Sequence, residues 1–219
     1  MPSSTRPVIV TGDRLAGSND REAGHMSYEN RVPWAIKPDR CALLIHDMQP
    51  HYLAALPGER QHMVVSNVRA VATACISSSI PIFASRVPPT RDSRERGLMM
   101  EMWGAGPKAG THDLDQRLGL EGYDLRFLVK RSYSAFFGND FDVLLRRLDR
   151  DAILIVGVYT SIGCYLSAAD AFMRDIRAFV LADATADMNN ADHATGLRMA
   201  ARTCARVVNS SAVLSALRR

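Results

Sequence analysis

From residue 41 onward, short apolar runs alternate with stretches whose apolar residues recur every three or four positions. The apolar runs fall at 41–46, 81–85, 127–130, 152–159, 178–183 and 205–209. Ala42-Leu43-Leu44-Ile45 and Ala152-Ile153-Leu154-Ile155-Val156 are apolar throughout, the pattern of strands covered on both faces. Between them, helical spacing predicts helices over 59–79, where Val64, Val68, Val71 and Cys75 share a face, and over 138–149, 162–175, 191–204 and 211–218. Six β and α units in alternation predict an α/β fold: a six-stranded parallel, doubly wound, Rossmann-like sheet with helices on both faces. Residues 1–33 lack periodicity and read as an irregular N-terminal arm, leaving 34–219 as the domain. A second irregular stretch, 86–124, is long for a compact domain, and such loops are usually functional.

Composition narrows the class only modestly. The chain has 219 residues, 47% hydrophobic, with 27 Lys and Arg against 23 Asp and Glu. The basic residues are scattered among acids, which fits an anionic small-molecule pocket better than a nucleic-acid surface. Cys41, Cys75, Cys164 and Cys204 lie far apart, with no zinc or redox spacing. No apolar run reaches membrane-spanning length, and no secretory leader pattern is visible, so a cytoplasmic protein is expected. The phosphate-binding glycine motifs of this fold class are missing, which argues against a nicotinamide cofactor.

Candidate chemistry sits at the strand ends, where open α/β sheets place their ligand crevice. The first strand runs into Asp47, which is either a site carboxylate or the cap of the next helix. The third ends in Lys130, and the fourth leads through Tyr159 to Gly163 and Cys164. In a parallel sheet these ends open on one side, so Asp47, Lys130 and Gly163 can share a cleft. His46 precedes Asp47, and strand alternation points its side chain the other way, as a packed histidine.

Five blocks in order, HDMQ (46–49), WGAG (103–106), KRSYSAFFGNDF (130–141), GVYTSIGCYLSAADAFMRDI (157–176) and FVLADATADM (179–188), resemble the isochorismatase-like hydrolase superfamily. The resemblance covers about 25–210 and is nearest to isochorismatases and phenazine-pathway 2-amino-2-deoxyisochorismate hydrolases. It implies hydrolysis of an enol ether with release of pyruvate, no metal, no cofactor, and association as a homo-oligomer such as a dimer, with the number of subunits left open. Many members of the superfamily are amidases with an Asp–Lys–Cys triad. Their cysteine falls at the position of Gly163, and Cys164, one residue on, is rotated about 100° away on a helix. Gly163 instead leaves room for the enolpyruvyl group. The alternatives are an amidase using Cys164 in a shifted frame and a non-catalytic relative serving as a binding protein.

The resemblance assigns Asp47 as general acid and Lys130 as its partner or a substrate-carboxylate ligand. It places Arg96 on the substrate, Tyr159 on the pocket wall or in the core at a strand end, and Trp103 either over the substrate ring or as a core or dimer-contact residue, while Tyr133 and Phe136 read as structural. A free Asp ionises near pH 3.9, and a lysine at ~4 Å and an effective dielectric of ~20 favours the carboxylate by about 4 kcal/mol. Asp47 is therefore expected to become an acid mainly in the complex, once substrate carboxylates neutralise Lys130 and water is expelled. Val87 departs from the family pattern, which has glutamine there. Either Arg86 substitutes for that amide or the substrate differs at the group it would bind.

Overall fold

A computed structural model of the chain describes residues 28–218. Most of the arm expected over 1–33 lies outside them, and the described part, 28–33, has no regular structure. Six strands, β1 (Cys41–His46), β2 (Ile82–Arg86), β3 (Leu125–Val129), β4 (Ala152–Val158), β5 (Arg177–Ala186) and β6 (Ala205–Val208), form one sheet. Its order is β3-β2-β1-β4-β5-β6, and every neighbouring pair is parallel. Helices are α1 (Pro50–Leu53), α2 (Gly58–Ser77), α3 (Ser93–Arg96), α4 (Leu98–Trp103), α5 (Phe141–Arg147), α6 (Tyr165–Phe172), α7 (Asn190–Thr203) and α8 (Ser210–Leu217).

The central strands alternate between two cores. Leu43 and Ile45 of β1 face Val64, Val68, Val71 and Cys75 of α2, with Val213 of α8 in the same cluster. Ala42 and Leu44 face Phe141 and Leu145 of α5, Ala168 of α6 and Leu197 of α7. Burial of both faces explains why β1 and β4 are continuously apolar. The strand order reverses between β1 and β4, and there the crevice opens at the carboxyl ends.

Several boundaries differ from the sequence expectations. β5 runs to Ala186 rather than stopping at 183, since Asp183 is accommodated inside it by the Ser210 amide and hydroxyl at 2.7 and 2.8 Å. The helix expected over 138–149 is only Phe141–Arg147, because Asn139 accepts from the Phe141 amide at 3.0 Å and delays its start. The helix expected over 162–175 stops at Phe172, ahead of Asp175 with φ +59°. Its first turn, Thr160–Cys164, is a wide π turn. The stretch 86–124, expected to be irregular, contains α3, α4 and a 3₁₀ turn at Gln116–Leu118. Among the described residues, no helix is long and apolar enough to cross a membrane.

Candidate active site

At the end of β1 the chain turns sharply. Asp47 adopts φ +47°, a left-handed conformation uncommon outside glycine. The turn breaks strand alternation, so His46 and Asp47 line the same cavity. The expectation that His46 points away is therefore corrected, while its reading as a packed histidine holds, the ring being buried between the Val158 and Tyr133 carbonyls. Ser85, at the end of β2, holds the turn: the Asp47 amide donates to its Oγ at 3.1 Å, and its hydroxyl donates to Asp47 Oδ1 at 2.6 Å.

Lys130 follows β3 directly and extends the ladder, its amide donating to the Arg86 carbonyl. Its Nζ lies 2.7 Å from Asp47 Oδ2 and donates to the Ser132 carbonyl at 2.9 Å. An ammonium has three donors, and these contacts use two. Burial pushes the Asp47 carboxyl upward, but the Lys130 charge, His46, and the hydrogen bonds from Lys130 and Ser85 together hold it below the usual range. Asp47 is thus a carboxylate in the resting site, and both side chains are nearly sealed from water, with Asp47 7% and Lys130 3% exposed.

The cavity above this pair has a volume of about 230 Å³. Val87, Arg96, Trp103, Tyr159 and Gly163 all line it, so the seven residues singled out from sequence converge on one space. Arg96 closes α3, whose start Asp92 caps by accepting from the Arg94 and Glu95 amides. Arg96 is 4% exposed, and its guanidinium donates through Nε to the Gly104 carbonyl at 3.1 Å. It lies flat on Gly106, where a Cβ would stand 2.8 Å from Cζ. Among the described residues no carboxylate pairs with it, and a buried cation lacking a counter-ion is suited to an anionic ligand.

The opposite wall comes from the turn after β4. The Tyr159 hydroxyl donates to the Tyr52 carbonyl at 2.8 Å, leaving its lone pairs to accept from the cavity. Burial, with Asp187 and Asp47 adding to it, pushes that phenol up to about 12. Buried Asp187 fixes the turn by accepting from the Ser161 and Met188 amides at 2.7 and 2.9 Å. α7 approaches closely enough that a Cβ on Gly196 would sit 2.6 Å from Ser161 Cα.

Three further expectations change. The space beside Gly163 holds the His46 ring: a Cβ at 163 would meet His46 Cε1 at 2.1 Å. Tyr133, read as structural, lines the cavity, and its hydroxyl accepts from Trp103 Nε1 at 2.9 Å. Arg86 does not replace the family's glutamine, since its guanidinium pairs with Asp113 and stacks on Phe127. The Val87 amide and carbonyl are both clamped by the Gln49 side chain at 2.9 Å, and among the described residues no Asn or Gln lines the cavity.

Cys164 is fully buried in the core behind the turn, and burial raises its thiol well above the ordinary range. Among the described residues no group of three or more His, Cys, Asp or Glu side chains could hold a metal ion. Sequence reasoning missed Ser85, Tyr52, Asp187 and the role of His46. Ser85 closes an apolar strand as Asp47 follows one, and that shared position at neighbouring strand ends was the available signal.

Comparison with known proteins agrees with this geometry. The isochorismatase domain model matches residues 41–212. Enterobactin synthase component B of Escherichia coli K12 is 37% identical over 86% of this chain and 67% of its own length. Phenazine biosynthesis protein PhzD1 of Pseudomonas aeruginosa is 36% identical over 84% of this chain and 90% of its own. Among solved structures, a cysteine hydrolase from Pseudomonas syringae superposes with a TM-score of 0.78, covering 88% of this chain and 99% of that one. At 23% identity that likeness speaks for the fold alone. The family match over most of the chain and the relatives above 30% identity identify this protein as a member of the isochorismatase family, a hydrolase on a six-stranded parallel α/β sheet.

Proposed function

We propose that this hydrolase cleaves the enolpyruvyl ether of isochorismate or 2-amino-2-deoxyisochorismate, releasing pyruvate and a dihydro-dihydroxybenzoate or dihydro-hydroxyanthranilate. The observation carrying this reading is the buried Asp47–Lys130 pair at the base of a cavity whose nucleophile position is Gly163. Carbon protonation is the difficult step of enol-ether hydrolysis, and it requires a positioned acid rather than a nucleophile. Asp47 delivers a proton to the terminal CH₂, and its carboxylate then faces the oxocarbenium ion. Water adds to that ion, and the hemiketal collapses to pyruvate and the ring alcohol.

Lys130 and Arg96 supply two buried cations for the two substrate carboxylates. Pairing Lys130 with the substrate removes the main influence that keeps Asp47 ionised, so Asp47 can take up a proton within the complex. Relatives named isochorismatase and PhzD support this choice of substrate class. The amidase alternative is disfavoured by Cys164, whose thiol is sealed in the core. The test is pyruvate release from each substrate, coupled to lactate dehydrogenase. Release from at least one supports the reading, and release from neither refutes it.

A further inference from the structure

In the resting site each Asp47 oxygen already accepts one hydrogen bond, and neither carries the proton that the carboxyl must donate. Oδ1 accepts from Ser85 at 2.6 Å and Oδ2 accepts from Lys130 at 2.7 Å. A further titratable group, His46, has its Nδ1 3.5 Å from Oδ2.

The His46 ring is set between two acceptors. Nδ1 faces the Val158 carbonyl at 2.8 Å, and Nε2 faces the Tyr133 carbonyl at 3.1 Å. A neutral imidazole carries one N–H and satisfies one of them, whereas an imidazolium satisfies both. The ring is pinned in this orientation by contact with Gly163, and its side chain is 1% exposed. The charged groups facing it are Asp47 from the end of β1 and Lys130 from the end of β3. β4 and the loop after β3 contribute only the two carbonyls, and the turn after β4 contributes Gly163. In the free site burial, with Lys130 adding to it, holds the imidazole below its usual range, while Asp47 and the carbonyls oppose this. Substrate carboxylates would offset Lys130 and add negative charge, favouring the protonated ring.

We propose that His46 is the proton reservoir of the site: on binding of a dianionic enol ether it becomes an imidazolium and passes its Nδ1 proton to Asp47 Oδ2. This rests on the reading of the site as an enol-ether hydrolase, and His46 acts through Asp47 as a positioning residue. One proton enters from solvent as the ligand binds. The Nδ1–H first turns from the Val158 carbonyl to Oδ2, which closes from its resting 3.5 Å; Nδ1–H then breaks as Oδ2–H forms, and Oδ2–H breaks as the new C–H bond forms on the vinyl carbon. Water attacking the oxocarbenium ion gives up a proton, which returns to Asp47 and then to Nδ1, restoring the bound state. Lys130 turning to a substrate carboxylate frees Oδ2 to receive the proton.

The test follows the His46 imidazole nitrogens by NMR in the isotope-labelled full chain. Spectra are taken free and saturated with a carboxyethoxy-benzoate, a saturated ether carrying both carboxylates and no vinyl carbon. Between about pH 6 and 8, where histidine charge normally changes, the free ring is expected neutral and the complexed ring doubly protonated. A ring that stays neutral in the complex overturns the reservoir while leaving the proposed reaction standing. Failure of the ether to bind, together with no pyruvate from wild type, removes the underlying reading and the reservoir with it. In His46→Asn, kcat for pyruvate release is expected to fall about tenfold to a hundredfold, with KM within about threefold. Unchanged kcat in a folded variant overturns the proposal, and if that variant does not fold, the wild-type spectra decide.

Discussion

Gly163→Ala separates two explanations for the glycine at the nucleophile position. If the glycine only makes room for substrate, a methyl group raises KM and leaves the fold alone. The structure supports a different outcome. The new Cβ would lie 2.1 Å from His46 Cε1, 2.8 Å from Nε2 and 2.9 Å from Nδ1. The ring has nowhere to retreat, being buried and held between the Val158 and Tyr133 carbonyls. Overpacking a tight core costs roughly 1–3 kcal/mol, and each hydrogen bond lost with it adds about 0.5–1.5 kcal/mol. The expected total is about 2–5 kcal/mol, read as a lower urea midpoint at unchanged slope. Because His46 is the partner in the clash, His46→Ala and Gly163→Ala are expected to be non-additive, with the double variant recovering at least about 1 kcal/mol of their summed loss. A Gly163→Ala protein with the wild-type midpoint, or a strictly additive cycle, refutes the claim that His46 dictates this glycine.

Other perturbations test the remaining contacts. Lys130→Met strands the Asp47 carboxylate in the core and is expected to cost about 3–5 kcal/mol at neutral pH, measured by chemical denaturation. Asp47 has a folded pKa below its unfolded value of about 3.9. Its contribution is therefore present above that unfolded value and is lost as pH falls through the folded one. The stability gap between wild type and Lys130→Met is accordingly expected to narrow below about pH 4, and a gap independent of pH contradicts the pairing. Thiol alkylation under native conditions is expected to leave pyruvate release unchanged, because Cys164 is sealed and its thiol strongly protonated; inactivation would favour the amidase reading. Val87→Gln leaves the backbone clamp of Gln49 intact, and one added polar contact worth about 1 kcal/mol is expected to lower KM for isochorismate several-fold.

Much of the architecture was legible because the sheet is buried on both faces. Such strands are apolar throughout, and β1 and β4 stood out for that reason. The strand-end rule then brought Asp47, Lys130 and Gly163 together, and the structure places them around one cavity. What could not be read depended on single backbone torsions and on partners distant in sequence. Alternation put His46 and Asp47 on opposite sides, but the left-handed turn at Asp47 cancels that rule. The polar end of β5 looked like loop until Ser210 supplied the partner for Asp183. Tyr133 became part of the cavity through Trp103, thirty positions away in a short helix that the glycine-rich composition of its surroundings concealed.

The rate of pyruvate release by Asp47→Asn, measured in a variant shown to be folded, bears most directly on the proposed chemistry. Asparagine keeps the shape and can still bond to Ser85, but it cannot carry the transferred proton. A fall in kcat of about a hundredfold to ten-thousandfold is predicted; release within a few-fold of wild type would mean that the vinyl carbon receives its proton from another group.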